Sequence, residues 1–276
     1  MAAERERIGQ FFALAAAPFS VSTGLRSHPR LARFAVVPIA IAGGILVVSI
    51  PSGWPRVVAT LVLGGVVAAV APYWLGYAAG ARRPTDDERA AVAAALDGSV
   101  AVRLRVVDDT TWVGNATAAG VVPGHRYVFV AADLFDVLDE ESCTAVVAHE
   151  VAHHARRHVL LRHALAVAAA GYVVALAEFV PFQLLPTVAV GAVPYLLVSA
   201  WIVRRTELVA DRAAARTTSP AVVADTLTTL VDEGLILGQT TGLGQLLTEH
   251  PSVDVRLARL RAPEFDQSGG RRNHRE

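Results

Sequence analysis

The stretch AVVAHEVAHHARRH, residues 145–158, contains an HExxH pentad formed by His149, Glu150 and His153. Residues four apart share one face of an α-helix, so the two imidazoles can hold a single tetrahedral Zn²⁺ while Glu150 stands beside it as a base for water. With nine His and twelve Glu in 276 residues, about 0.01 such pentads are expected by chance. The flanks predict a helix from about residue 140 to 158. Asp139 is an N-cap, Glu140 and Glu141 suit the positive end of the helix dipole, and Ala145, Val146, Val147, Val151 and Ala152 supply an apolar face.

Two imidazoles leave a catalytic zinc one protein ligand short. The metzincin spacing would require Gly at 156 and His at 159, where Arg156 and Val159 stand. The later run RRTELVADRAA, residues 204–214, offers Glu207 and, four residues on, Asp211. Glu207 is the candidate third ligand. Asp211 is the candidate carboxylate that accepts an N–H from a ligand His and fixes its tautomer. The alternative for this pair is an ordinary solvated acidic face flanked by Arg205 and Arg212. His154, His158 and His163, set among Arg156, Arg157 and Arg162, read as a basic face at a membrane surface rather than as further ligands.

Composition points to a bilayer. Hydrophobic residues make up 53% of the chain and charged residues 18%, and mean hydropathy is +0.43. Four apolar stretches, Phe34–Ile50, Val57–Ala81, Ala164–Val180 and Leu184–Val203, run for 17 to 25 residues each. That length spans a hydrocarbon core of about 30 Å, the shorter ones with some thinning. The competing reading, strongest for the Ala-rich third stretch, is a buried helix of a soluble all-α protein. Charge placement favours the membrane: Arg26, Arg30 and Arg33 precede the first stretch, Arg82 and Arg83 follow the second, Arg156, Arg157 and Arg162 precede the third, and Arg204 and Arg205 follow the fourth. By the positive-inside rule both hairpins turn outside, which predicts a multi-pass plasma-membrane protein with both termini and both half-sites in the cytoplasm. Glu178, near the outer end of the third stretch, reads as interfacial.

The N-terminal RERIGQFFALAAAPFS, residues 5–20, reads as an amphipathic cytoplasmic segment rather than a cleaved signal. The net charge of zero gives no case for nucleic acid. Cys143, the single cysteine, excludes an intrachain disulfide and reads as packing.

Between the hairpins, Thr85 can cap a helix through Asp97, and Val100–Val107, Thr111–Ala118 and Tyr127–Val130 read as strands, the last two joined around Pro123 and Gly124. A small antiparallel sheet beside the metal helix could offer its edge, at Asn115 and Ala116, to an extended peptide; a plain hairpin without ligand is the alternative. Ser219 and Pro220 open another helix, to about Glu233. A Gly- and Thr-containing stretch from Gly234 to Gly244 reads as a linker, and HPSVDVRLARL, residues 250–260, as the last structured piece.

HEVAH, ELVAD, the GNATAAG strand, the apolar hairpin between the half-sites and the terminal HPSVDVRLARL together resemble the HtpX-like integral-membrane zinc metalloproteases, relatives of the CaaX prenyl protease. The likeness runs from about residue 57 to 262, and the four-stretch plan resembles the HtpX type more than the larger prenyl protease. It implies one Zn²⁺ per chain on His149, His153 and Glu207, Glu150 as base, and Asp211 in support. Substrate-strand contacts fall at Asn115 and Ala116, with His250 and Arg256 as catalytic neighbours that stabilise the oxyanion.

The expected fold is therefore mainly α with a small antiparallel sheet, four transmembrane helices and a cytoplasmic gluzincin-type zinc protease domain split by the second transmembrane hairpin. The expected segments are a basic N-terminal piece (1–33), a first hairpin (34–81), a first catalytic half (82–163), a second hairpin (164–203), a second catalytic half (204–262) and a disordered tail (263–276). The expected activity is an endopeptidase acting on misfolded or membrane proteins in quality control. Two other readings are an antirepressor-type signalling metalloprotease and a non-catalytic membrane scaffold with a structural metal.

Overall fold

The computed structural model describes residues 42–97, 100–108, 115–236 and 251–262. After a helical segment at 42–48 come α1 (Trp54–Ala78), α2 (Asp86–Ala91), α3 (Ala93–Leu96), β1 (Arg103–Val107), β2 (Ala116–Ala119) and β3 (Tyr127–Ala131). Then follow α4 (Asp133–Val137), α5 (Glu140–Ala155), α6 (His158–Phe179), a 3-10 turn (Phe182–Leu184), α7 (Leu185–Thr217), α8 (Pro220–Asp232) and α9 (Val253–Leu260). The N-terminal segment, residues 34–41 of the first apolar stretch, most of the Gly234–Gly244 stretch, His250 and the tail lie outside the described residues.

The helices α1 and α6, of 25 and 22 residues, are about 38 and 33 Å long, enough to cross a hydrocarbon core of about 30 Å. Only 17% and 11% of their apolar windows is buried within the fold. Among the described residues they are therefore not buried as core helices, the arrangement that the alternative for the third stretch requires. They pack antiparallel, closely enough to need glycine: a Cβ on Gly171 would fall 2.6 Å from Leu61 Cδ2, and one on Gly64 2.7 Å from Val167 Cγ2. At the end remote from the pentad, Glu178 pairs with Arg56 at 2.8 Å and accepts from the Gly53 N–H at 2.6 Å. Its carboxylate thus fastens the α1–α6 pair.

The other two apolar stretches stand differently. Leu184–Val203 forms the first part of α7, whose Val190, Val193, Leu196, Val198 and Trp201 are exposed. No break separates it from the residues around Glu207, so the fourth stretch, with Pro194 inside it, and the expected ligand helix are one continuous helix. The predicted 140–158 helix, by contrast, stops at Ala155, and Arg157 adopts φ 60°, the left-handed region. A separate helix, α6, then begins at His158.

The sheet corrects the antiparallel expectation: it is mixed, in the order β1-β3-β2. The hairpin at Pro123–Gly124 makes β2 and β3 antiparallel as expected, but β1 runs parallel to β3. The reason is burial. YVFVA of β3 is buried at all five positions, so it takes the centre, and the chain must cross over from β1 to reach the far edge. Asn115 O accepts from Ala131 N–H at 2.7 Å. That bond sets 115, 117 and 119 in the pairs that exchange hydrogen bonds with β3 and turns the backbone groups of Ala116 and Ala118 outward.

The water-facing core lies between this sheet, α5, α7, α8 and α9. Ala145, Val147, Ala148 and Val151 of α5 meet Ala214 of α7, Val223, Leu227 and Leu230 of α8 and Leu260 of α9. The small Ala side chains let α5 and α7 approach closely, and each buried Val or Leu contributes about 1.5–3 kcal/mol. Caps start these helices where the sequence places them. Thr85 and Glu88 form a capping box, Asp139 Oδ1 accepts from Ser142 N–H at 2.8 Å, and Ser219 accepts from Val222 N–H. The Thr85 helix breaks at Val92 into α2 and α3 instead of running on to Asp97. Cys143 is buried in this core, where burial pushes its thiol up to about 11 and leaves it inert.

Candidate metal centre

The pentad sits in the last two turns of α5, and α7 crosses that face so that Glu207, 1% exposed, lies against both histidines. His149 Nε2 and His153 Nε2 are 3.1 Å apart. The nearest Glu207 oxygens are 3.5 Å from His149 Nε2 and 3.3 Å from His153 Nε2. A tetrahedral zinc with bonds of about 2.0–2.1 Å holds its ligand atoms about 3.3–3.4 Å apart. The three groups thus have the spacing of one zinc coordination shell. The Glu150 carboxylate lies within 4.8 Å of both imidazole ligand atoms.

What lies behind the imidazoles supports the same orientation. His149 Nδ1 is 3.0 Å from Asp211 Oδ1, and His153 Nδ1 is 3.1 Å from His158 Nδ1. With both Nδ1 atoms engaged behind the site, both Nε2 lone pairs face its centre. Burial opposes an imidazolium at His149, but Asp211 and Glu207 outweigh it and raise its pKa to about 10. The same two carboxylates favour a cation in general. Burial drives His153 well below the usual range, which keeps it neutral and able to ligate. Burial also raises the pKa of Glu150, as a base for water requires, while the Ala118 N–H donates a hydrogen bond to its carboxylate. The free edge of β2 therefore meets the metal helix at the base itself.

Asp211 is in turn gripped by Arg256 from α9, whose Nε donates to Oδ2 at 2.8 Å and Nη2 to Oδ1 at 2.5 Å. Burial pushes the Asp211 carboxyl up, but Arg256 and His149 outweigh it and hold it at about 2. Arg256 was expected among the oxyanion donors. Its Nε and Nη2 are committed to Asp211, and its charge also acts on Glu207 and Glu150. Asn115 and Ala116 lie at the start of the β2 edge, and Asn115 Oδ1 is buried with no partner among the described residues.

Three contacts escaped the sequence reading. His154 and His158 are 2% and 8% exposed, not an interfacial face: His154 Nε2 donates to Tyr127 O at 2.9 Å, and His158 supports His153. Arg162 Nη2 donates to Glu207 Oε1. No periodic pattern marks either His158 or Arg162, because the left-handed turn at Arg157 redirects the chain between them and the pentad. The HExxHxxxxH spacing was visible, but on a continuous helix a residue five places after His153 would lie off the metal face.

Residues 86–264 match peptidase family M48. Protease HtpX homologs of Trichormus variabilis and of Nostoc sp. are each 29% identical over 182 residues, which cover 53% of this chain and 63% of the relatives. The chain thus spans a little under two thirds of the length of the curated relatives it matches. In the crystal structure of S. mikatae Ste24p the same fold recurs, with a TM-score of 0.64 over 83% of this chain and 63% of that one at 17% identity. With the family match extending over most of its length, the chain belongs to peptidase family M48 and is similar within it to the HtpX proteases.

Proposed function

We propose that the protein is a zinc-dependent endopeptidase that cleaves membrane or misfolded proteins at the cytoplasmic face of a plasma membrane it crosses four times. The observation that carries the reading is the convergence of His149 Nε2, His153 Nε2 and the Glu207 carboxylate at 3.1, 3.3 and 3.5 Å. Zinc held there would supply Lewis acidity, polarising a carbonyl and making water a nucleophile near neutral pH. Glu150 takes the proton of the attacking water and delivers it to the leaving amine. Asp211, clamped by Arg256, and His158 hold the two ligand imidazoles in the required tautomer.

The substrate lies extended along the free edge of β2, pairing with the outward backbone groups of Ala116 next to Asn115. Backbone pairing does not select side chains, which suits an enzyme of quality control. Support for a membrane-proximal substrate comes from the chain path: His153 precedes the first residue of the apolar helix α6 by five positions. Cytoplasmic placement rests on the arginines that flank the apolar stretches.

Glu150→Gln in the purified protein is expected to retain one zinc per chain and lose about 10²–10⁴ in the rate of casein cleavage in detergent. In native membranes the same variant should trap many different unfolded membrane proteins. Normal turnover by the variant would refute the mechanism, and capture of one defined protein would redirect the reading to signalling.

A further inference from the structure

The turn of the β2–β3 hairpin and the α5–α6 junction enclose a cavity of about 180 Å³ lined by Gly120, Val121, Pro123, Arg126, His154, Arg157, Val159 and Leu160. None of its walls is acidic, and neither guanidinium has a carboxylate partner among the described residues. The Nε2 of His154 is taken by Tyr127 O at 2.9 Å. Among the described residues the cavity therefore presents two cations without a carboxylate partner, drawn from separate elements, one from the hairpin and one from the helix junction.

Its position is set by the two apolar helices. Val159 and Leu160 belong to the first turn of α6, and Leu160 is 47% exposed. The hairpin turn is fixed to the final third of α1 by a hydrogen bond between Tyr73 and His125. The cavity thus opens where α1 ends and α6 begins, the level at which lipid head groups meet an embedded α1–α6 pair. Arg157, one of its two cations, is the one non-glycine residue with positive φ among the described residues. Glycine would occupy that turn without strain, whereas Arg157 holds it in the left-handed region.

We infer that this cavity binds the phosphate head group of an anionic phospholipid, with Arg126 and Arg157 as the phosphate donors and the acyl chains lying along exposed Leu160. Arginine matches phosphate geometry with paired N–H donors, and basic pockets at membrane level attract acidic head groups. The inference rests on α1 and α6 spanning a membrane and is independent of catalysis. The lipid would anchor the hairpin that carries β2, and so hold the edge strand in register with Glu150.

The test uses the full chain, purified and reconstituted in nanodiscs of phosphatidylglycerol or of phosphatidylcholine. The phosphatidylglycerol discs should raise the midpoint of thermal unfolding by roughly 3–6 °C over phosphatidylcholine, and native mass spectrometry should show retained phosphatidylglycerol. Arg157→Gly and Arg126→Gln should each lose at least half of the shift and the retained lipid. Arg157→Gly should nevertheless melt no lower than the unaltered chain in phosphatidylcholine, because it relieves a strained backbone. Equal midpoints in the two lipids, or a shift that survives both substitutions, would overturn the inference. The same shift from inorganic phosphate in phosphatidylcholine discs would also overturn it, in favour of a free-anion site. All variants should remain in the membrane fraction after carbonate washing; release of the unaltered chain would instead refute the spanning reading of α1 and α6.

Discussion

Each half of the metal centre is joined to an apolar helix, and the two joints are built in opposite ways. On the α5 side the helix carrying His149 and His153 ends at Ala155, and a left-handed residue hands the chain to α6. On the α7 side one 33-residue helix runs from Leu185 through Glu207 and Asp211 without interruption. The broken joint gives the histidine helix its own orientation and lets His158 and Arg162 turn back toward it. The continuous joint fixes the carboxylates to the apolar rod, so any rotation of that rod is felt at Glu207. One half-site is positioned by side-chain contacts and the other by helix continuity.

The largest blow to the contact-positioned side should come from Asp211→Ala. It leaves Arg256 buried without its carboxylate and His149 without its Nδ1 partner, a loss of about 3–5 kcal/mol of stability and about 10–100-fold in zinc affinity. Chemical denaturation with and without chelator, alongside zinc titration, measures both; unchanged affinity would mean that Asp211 has no part in orienting His149. The rigid side should break at Arg205→Pro, in the exposed part of α7 where Arg205 lies over the Trp201 ring at 5.1 Å. Proline inside a helix costs about 3 kcal/mol and should kink Glu207 away from the imidazoles, abolishing stoichiometric zinc, whereas Arg205→Ala should shift stability by about 0.5 kcal/mol or less. If zinc binding survives the proline, continuity of α7 is not what places the ligand.

A third joint, at the exit of α1, is the weakest. Arg82 exchanges two backbone hydrogen bonds with Val106, at 2.9 and 3.0 Å, and its side chain pairs with Glu88 at 2.6 Å. Its hydrogen bonds with Arg82, the largest cause, and with the Thr85 N–H hold Glu88 at about 2, below its usual 4.5. A depressed carboxylate stabilises the fold above its unfolded pKa and loses that contribution as pH falls toward the folded value. The stability gap between the unaltered chain and Glu88→Gln should therefore be full above about pH 4.5 and close toward pH 2. Thermal unfolding across that range checks it, and a gap that widens on acidification would reverse the assignment.

How much was legible follows from how local each feature is. The pentad, the caps at Asp139, Thr85 and Ser219, and the Val57–Ala81 stretch are written in neighbouring residues, and the structure sets them close to where the spacing predicts. Glu207 and Asp211 were legible only as a pair four apart that a two-histidine site lacked. Hairpin chemistry at Pro123–Gly124 gave the β2–β3 pairing, but nothing in the strand sequences said that β1 would lie parallel on the far side of β3. The roles of His154, His158 and Arg162 and the Asp211 contact of Arg256 were misread or missed because each depends on a contact across a chain reversal or between helices.

By itself the sequence determined two candidate ligands, a candidate base and apolar stretches long enough for a bilayer, because helical spacing and segment length are properties of consecutive residues. Only the tertiary structure decided that Glu207 closes the triangle, that Arg256 clamps Asp211 and that His158 folds back on His153. Those contacts join residues on separate helices, and their geometry is set by the packing of α5 against α7 and by the turn at Arg157, which no local pattern encodes.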